Sequence, residues 1–338
     1  MSAPSEKATR RVEGTPRVIV TRHLMPAVEA RMAELYDAVL NPADEAFSRD
    51  QLAQAMRDCD VLVPTVTDRI DRELIEQASE RLGLIASFGA GTDHIDLKAA
   101  RDRGIIVTNT PGVFTDDTAD ITMEMIIGVP RRVREGIALV RRGEWSGWAP
   151  SKLLGRQLGG KTLGIVGMGR IGQAVAYRAK AFGLEIAYHN RKPLPRAIEA
   201  MFGARYVENV DDLIATSDIL TLHCPETEAT HGFMDERRFG LMPPGASFIN
   251  TARGKLVDQE ALIAALESGK LAGAGLDVYP DEPNVDPRLL AHPNVMTLPH
   301  IGSATAEGRE ASGEKVIANI RFWADGHRPP DQVLDALV

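Results

Sequence analysis

The chain has 338 residues, 44% hydrophobic and 25% charged, with a formal net charge of −8. That length suits about two globular domains, and the acidic balance argues against a broad nucleic-acid-binding surface. Cys59 and Cys224 are the two cysteines; lacking paired spacing, they support neither a disulfide framework nor a cysteine zinc site, so no metal is expected and a reducing, cytoplasmic setting fits. The polar stretch 1–16 reads as a flexible tail, not a signal peptide or anchor. No apolar run reaches the roughly 20 residues that span a bilayer. From there short apolar runs alternate with helical patterns. RVIVT (17–21), DVLVPT (60–65), LGLIASFG (82–89) and GIIVTNT (104–110) read as buried strands, with helix-like PAVEARMAELY and RELIEQASERL between them. The stretch TDDTADITMEMIIGVPRRVREGIALVRRG is helical in pattern, and Pro130 should break it. A second strand series begins near Lys161: KTLGIVGMG, LEIAYHN, SDILTLHCP, GASFINTA, LAGAGLDVY and NVMTLPH, roughly six strands in one doubly wound sheet. A helix is expected over 258–270, with Asp258 as N-cap and Gly269 near its end, and another over 304–326. The fold class is therefore α/β, two parallel-sheet units, with a cleft between them as the default ligand site.

Gly167, Gly169 and Gly172 have the G-x-G-x-x-G spacing directly after a strand pattern, at the start of a helix that carries Ile171, Val175 and Ala179 on one face. That is the context a dinucleotide pyrophosphate needs: a tight turn, close backbone approach, close helix packing and a helix N-terminus facing the anion. Met168, Arg170 and Ile171 complete the turn. At the end of the next strand, where a carboxylate would accept from an adenosine ribose, stands Asn190, followed by Arg191 and Lys192. Asn190 does not repel a 2′-phosphate and the two cations can pair with one, so NADP(H) is favoured and NAD(H) remains possible. A solvated basic pair is the plainer alternative.

Arg253 in INTARGKLVD, Asp277 and Glu282 in GLDVYPDEP, and His300 in LPHIGSAT all follow strand ends. Open α/β sheets bind ligands there. Singly, each has a commonplace reading as surface cation, turn acid or loop histidine; as a set behind a nucleotide turn they suggest chemistry.

In this order, these motifs resemble the D-isomer specific 2-hydroxyacid dehydrogenase family, over about residues 17 to 330. AYHNRKP most resembles its glyoxylate/hydroxypyruvate reductase branch. The resemblance implies reduction of a small 2-keto acid by hydride from NAD(P)H, with His300 as proton donor, Glu282 orienting it, and Arg253 binding and polarising substrate. It implies that Ala90 and Gly91, in SFGAGTDHID, hold the substrate carboxylate through backbone N–H groups. Asp277 would accept from the nicotinamide carboxamide, and Cys224, Pro225, Thr251, Ala252, His300 and Gly302 would line the cofactor. A Rossmann NAD(P)-binding domain (115–304) would be inserted into a flavodoxin-like substrate domain (17–114 plus 305–338), with hinges near Phe114 and Ala304. A homodimer through the nucleotide domain is implied. The arm 141–158 would contribute to it, and Trp145 and Trp148 would either reach a neighbouring site or simply pack.

Two rivals stay open. One is an NAD-dependent D-3-phosphoglycerate or other D-2-hydroxyacid dehydrogenase; no acid at position 190 and no further domain after residue 338 count against it. The other is a non-catalytic nucleotide-sensing protein of the same fold, which the Arg–Glu–His set does not exclude. No nucleic-acid or membrane partner is expected.

Overall fold

A computed structural model of the chain describes residues 14–334. The tail expectation for 1–16 thus falls largely outside the described residues. The chain forms two compact units, one running to Phe114 and resuming at Thr305, the other Thr115–Ala304.

In the first unit, β1 (Arg17–Val20), β2 (Asp37–Val39), β3 (Val61–Val63), β4 (Leu84–Ala86) and β5 (Ile106–Thr108) form a parallel sheet in the order β2-β1-β3-β4-β5. Successive residues alternate between two apolar clusters: Ile19, Leu62, Ile85 and Val107 enter one, while Val18, Val20, Val61, Val63 and Leu84 enter the other. A sheet covered on both faces needs unbroken apolar runs, which is why these strands read clearly. β2 was not anticipated: its three residues, DAV, lie half-exposed at the sheet edge and carry no such run. The helix Ala306–Ala324, capped by Thr305, lays Val316, Ile317, Ile320 and Trp323 on the same sheet. The RELIEQASERL stretch is helical only over Arg72–Glu76. Beyond it the chain turns, and Ser79 Oγ donates to the Arg57 carbonyl instead of serving a helix.

The second unit opens with the helix Thr115–Gly128; the chain turns at Pro130, and a second helix spans Val133–Arg141. Seven strands follow, not six: β6 (Thr162–Val166), β7 (Glu185–His189), β8 (Arg205–Tyr206), β9 (Ile219–Leu222), β10 (Ala246–Asn250), β11 (Leu271–Leu276) and β12 (Val295–Thr297). The sheet is parallel, in the order β12-β11-β10-β9-β6-β7-β8. The additional strand, β8, has two residues and no apolar run. Leu163, Ile165, Ile186 and Tyr188 pack on one face; Val166, Ala187, Leu220 and Phe248 pack on the other. Asp258 accepts from Ala261 N–H and caps the helix Gln259–Glu267. The strand order reverses between β6 and β9, the switch point at which Rossmann sheets open a crevice. Among the described residues, no helix is long and apolar enough to cross a membrane.

Candidate active site

At the end of β6 the chain turns through Gly167, whose φ is +99°, a region that side-chain-bearing residues avoid. A Cβ there would lie 2.6 Å from the backbone of His223 and Cys224. Gly169 caps the helix Arg170–Ala181. It is exposed, and no atom lies within 4 Å of where its Cβ would be. The N–H groups of Arg170, Ile171 and Gly172 in that first turn have no hydrogen-bond partner among the described residues, as an anion site requires. Gly172 is buried against the Gly167 carbonyl, with no room for a Cβ. Val175 and Ala179 are buried and Ile171 is half-buried, so the helix does pack on this face.

Met168 is buried in the core, and its N–H donates to Asn190 Oδ1 at 2.7 Å. Asn190, just after β7, thus has its side-chain oxygen committed to the glycine turn. Its NH₂ group is the part left to face a ligand. Arg170, Arg191 and Lys192 are exposed and form no ion pair among the described residues.

The three groups expected to do chemistry follow β10, β11 and β12, which are neighbours in the sheet. Asn250 ends β10 and shapes what comes next. Its Oδ1 accepts from Ala252 N–H at 3.0 Å, and its Nδ2 donates to the Arg253 carbonyl at 2.9 Å. Arg253 leaves this turn half-buried, with Nη1 donating to the Ala252 carbonyl at 2.7 Å. Thr251 is buried, its hydroxyl 2.8 Å from that of Thr122.

Glu282 follows β11. Its Oε1 accepts from Tyr279 N–H at 2.9 Å, and its Oε2 lies 2.7 Å from His300 Nδ1. Burial works to raise this carboxyl, but hydrogen bonds from His300 and Tyr279 and the positive charges of His300 and Arg253 outweigh it. The group is held below the ordinary carboxylate range. An ionised Glu282 accepts only, so Nδ1 carries a proton toward it and Nε2 is the nitrogen left for a ligand.

His300 has a left-handed backbone, φ +55°. That conformation is uncommon without glycine and costs about 1 kcal/mol or more. The next two residues hold it in place: Ile301 N–H donates to Asp277 Oδ1 at 2.8 Å and Gly302 N–H to Oδ2 at 2.7 Å. Bonds to a charged acceptor contribute about 1.5–3 kcal/mol each, enough to outweigh the strain. Asp277 is 1% exposed. Burial pushes its carboxyl up, and the two N–H bonds offset this only in part.

In the first unit, the loop after β4 carries Ala90 and Gly91. Asn109 Nδ2 donates to the Ala90 carbonyl at 2.7 Å. A trans peptide directs its N–H opposite to its C=O, so this bond aims the Gly91 N–H away from Asn109. Neither Ala90 N–H nor Gly91 N–H has a hydrogen-bond partner among the described residues.

Residues 123–302 match the family model for the D-isomer specific 2-hydroxyacid dehydrogenase, NAD binding domain. The chain belongs to the D-isomer specific 2-hydroxyacid dehydrogenase family. It is 45% identical over 322 residues to the glyoxylate reductase of Thermococcus litoralis, covering 94% of this chain and 96% of that one. The structure of a glyoxylate reductase from Paecilomyes thermophila superposes with a TM-score of 0.87 at 35% identity, covering 96% of this chain and all of that one (100%). An NADPH-dependent glyoxylate/hydroxypyruvate reductase from Sinorhizobium meliloti, solved with NADP and malonate, gives a TM-score of 0.84 at 33% identity, covering 95% and 97%. This enzyme is an NAD(P)-dependent dehydrogenase of the glyoxylate reductase branch.

Within this dehydrogenase, Cys224 follows β9 and is half-buried; burial pushes its thiol up to about 11, which leaves it no thiolate for attack. Pro225 beside it is exposed, and its carbonyl accepts from Thr230 Oγ1 at 2.8 Å. No cluster of three or more His, Cys, Asp or Glu able to hold a metal occurs among the described residues. Asn109, Asn250 and Tyr279 escaped the sequence reading. Asn250 had a signal, since an Asn ahead of a tight turn commonly bonds its own backbone two residues on; the roles of Asn109 and the Tyr279 N–H depend on contacts that no local pattern announces.

Proposed function

We propose that this dehydrogenase reduces a small 2-keto acid, glyoxylate or hydroxypyruvate, to the D-2-hydroxy acid, and uses NADPH in preference to NADH. The observation that carries the chemistry is the 2.7 Å pair between Glu282 and His300, set on a strained residue locked by Asp277. A bound reduced nicotinamide supplies the hydride. The open helix terminus at Gly169, the free amide of Asn190 and the cations Arg191 and Lys192 form a donor set suited to its pyrophosphate and 2′-phosphate.

His300 gives the proton on Nε2 to the keto oxygen, and Glu282 steadies the imidazolium before the transfer. Arg253 binds the substrate and stabilises charge developing on that oxygen. The N–H groups of Ala90 and Gly91 are assigned to the substrate carboxylate. Both Asp277 oxygens already accept a backbone N–H; their remaining lone pairs are assigned to the nicotinamide carboxamide, with Gly302, Cys224, Pro225, Thr251 and Ala252 lining the cofactor.

The test is a kinetic panel of NADPH and NADH against glyoxylate, hydroxypyruvate and pyruvate. The reading requires higher kcat/KM with NADPH and with the first two acids. Tight cofactor binding without turnover on any of them would instead favour a nucleotide sensor.

A further inference from the structure

The loop between β7 and the next helix, residues 190–195, carries the two unpaired cations. Its shape is set by two tyrosine hydroxyls. Tyr206, on β8, donates its OH to the Asn190 carbonyl at 3.2 Å. Tyr188, on β7, accepts from Leu194 N–H at 2.7 Å and donates to Glu199 at 2.8 Å. The Asn190 side chain is also fastened to the glycine turn through Met168 N–H. The segment is therefore held at both ends, and Pro193 and Pro195 restrict its backbone further. Both rings are themselves fixed. Tyr188 is fully buried; the Tyr206 ring lies 5.5 Å from it and stacks on His189 at 6.3 Å and 16°. His189 is anchored in turn, its Nδ1 3.0 Å from the Val207 carbonyl. Arg191 and Lys192 thus project from a braced loop that need not be ordered when an anion arrives, which lowers the entropic cost of binding.

We propose that Tyr206, acting with Tyr188, is a positioning residue for cofactor selection: its hydroxyl holds the Asn190 carbonyl so that Arg191 and Lys192 meet a 2′-phosphate. This rests on the NADPH reading above. Tyr206→Phe removes the hydroxyl and keeps the ring packing, so it isolates the effect.

The probes are 2′,5′-ADP and 5′-AMP, which differ by the 2′-phosphate, titrated by calorimetry into wild type, Tyr206→Phe and Arg191→Ala. Loss of one hydrogen bond that preorganises the loop should weaken 2′,5′-ADP by about 3- to 10-fold in Tyr206→Phe, with a far smaller change for 5′-AMP. The kcat/KM ratio of NADPH to NADH should fall by a similar factor. If Arg191→Ala loses 2′,5′-ADP affinity and Tyr206→Phe does not, the positioning role is overturned and the cation clamp stands. If both ligands weaken equally in Tyr206→Phe, the hydroxyl serves the fold alone and the proposal fails. If wild type binds the two ligands alike and Arg191→Ala changes nothing, the clamp itself is wrong and the role of Tyr206 falls with it.

Discussion

Burial shifts Asp277 and His223 in opposite directions, the carboxyl up and the imidazole down. Asp277 accepts two backbone N–H groups and locks the strained His300. His223, at the end of β9, has a ring nitrogen 3.0 Å from Thr221 Oγ1, and burial pushes its imidazole down to about 3. His223 therefore stays neutral in the fold, while an unfolded histidine takes up a proton near pH 6.5. Its contribution to stability is intact above about pH 6.5 and is lost as the pH falls from there toward the depressed value. Glu282, a lowered carboxyl, has the same sign: its stabilisation is full above about pH 4.5 and is lost as the pH drops through its lower folded value. Wild type should accordingly lose up to about 2 kcal/mol more than His223→Gln between pH 7 and pH 5 in denaturant melts. Equal losses would show that the imidazole takes up a proton in the fold as readily as in the unfolded chain.

At the scale of elements, the sites depend on how each strand hands over to its loop. Asn250 makes the turn that delivers Arg253, and it is 1% exposed with both side-chain groups bonded to backbone. Asn250→Ala leaves the part-buried Ala252 N–H without its acceptor and takes one of two donors from the Arg253 carbonyl, which keeps Leu256 N–H. A loss of about 1–3 kcal/mol in stability is expected, with KM for the keto acid rising more than KM for the cofactor. An unchanged KM for the keto acid would separate Arg253 placement from this turn. The long strands were legible because each feeds two apolar clusters, and Asp258 and Gly167 because cap and turn chemistry leave a local mark. β2 and β8 were not, since two- or three-residue edge strands owe their pairing to a neighbour and carry no pattern of their own. The helix after Asp71 read too long because Ser79 bonds back to Arg57, a contact between segments distant in sequence. Arg253, Glu282 and His300 could be picked out by type and position after strands; that Asp277 would brace the His300 backbone could not, because periodicity says nothing about which N–H a buried carboxylate will take.

For the molecule as a whole, each unit builds a core on both faces of its own sheet. One element of the second unit lacks such cover. The helix Val133–Arg141 buries no residue, and Val133, Ile137 and Val140 are exposed, as are Trp145 and Trp148 in the following arm. Exposed apolar patches of this kind mark association surfaces, and we propose that this one serves the homodimer through this unit that the family resemblance implies. Ile137→Glu combined with Val140→Glu should shift light-scattering mass from dimer to monomer at micromolar concentration. A monomeric wild type, or a variant that stays dimeric, would place the interface elsewhere or remove it.

The proton transfer assigned to His300 is tested most directly by single-turnover reduction of glyoxylate with NADPH in His300→Ala, alongside cofactor binding by fluorescence. The rate should fall by roughly 10²–10⁴-fold while cofactor affinity changes little. A rate close to wild type with saturated cofactor would contradict the account.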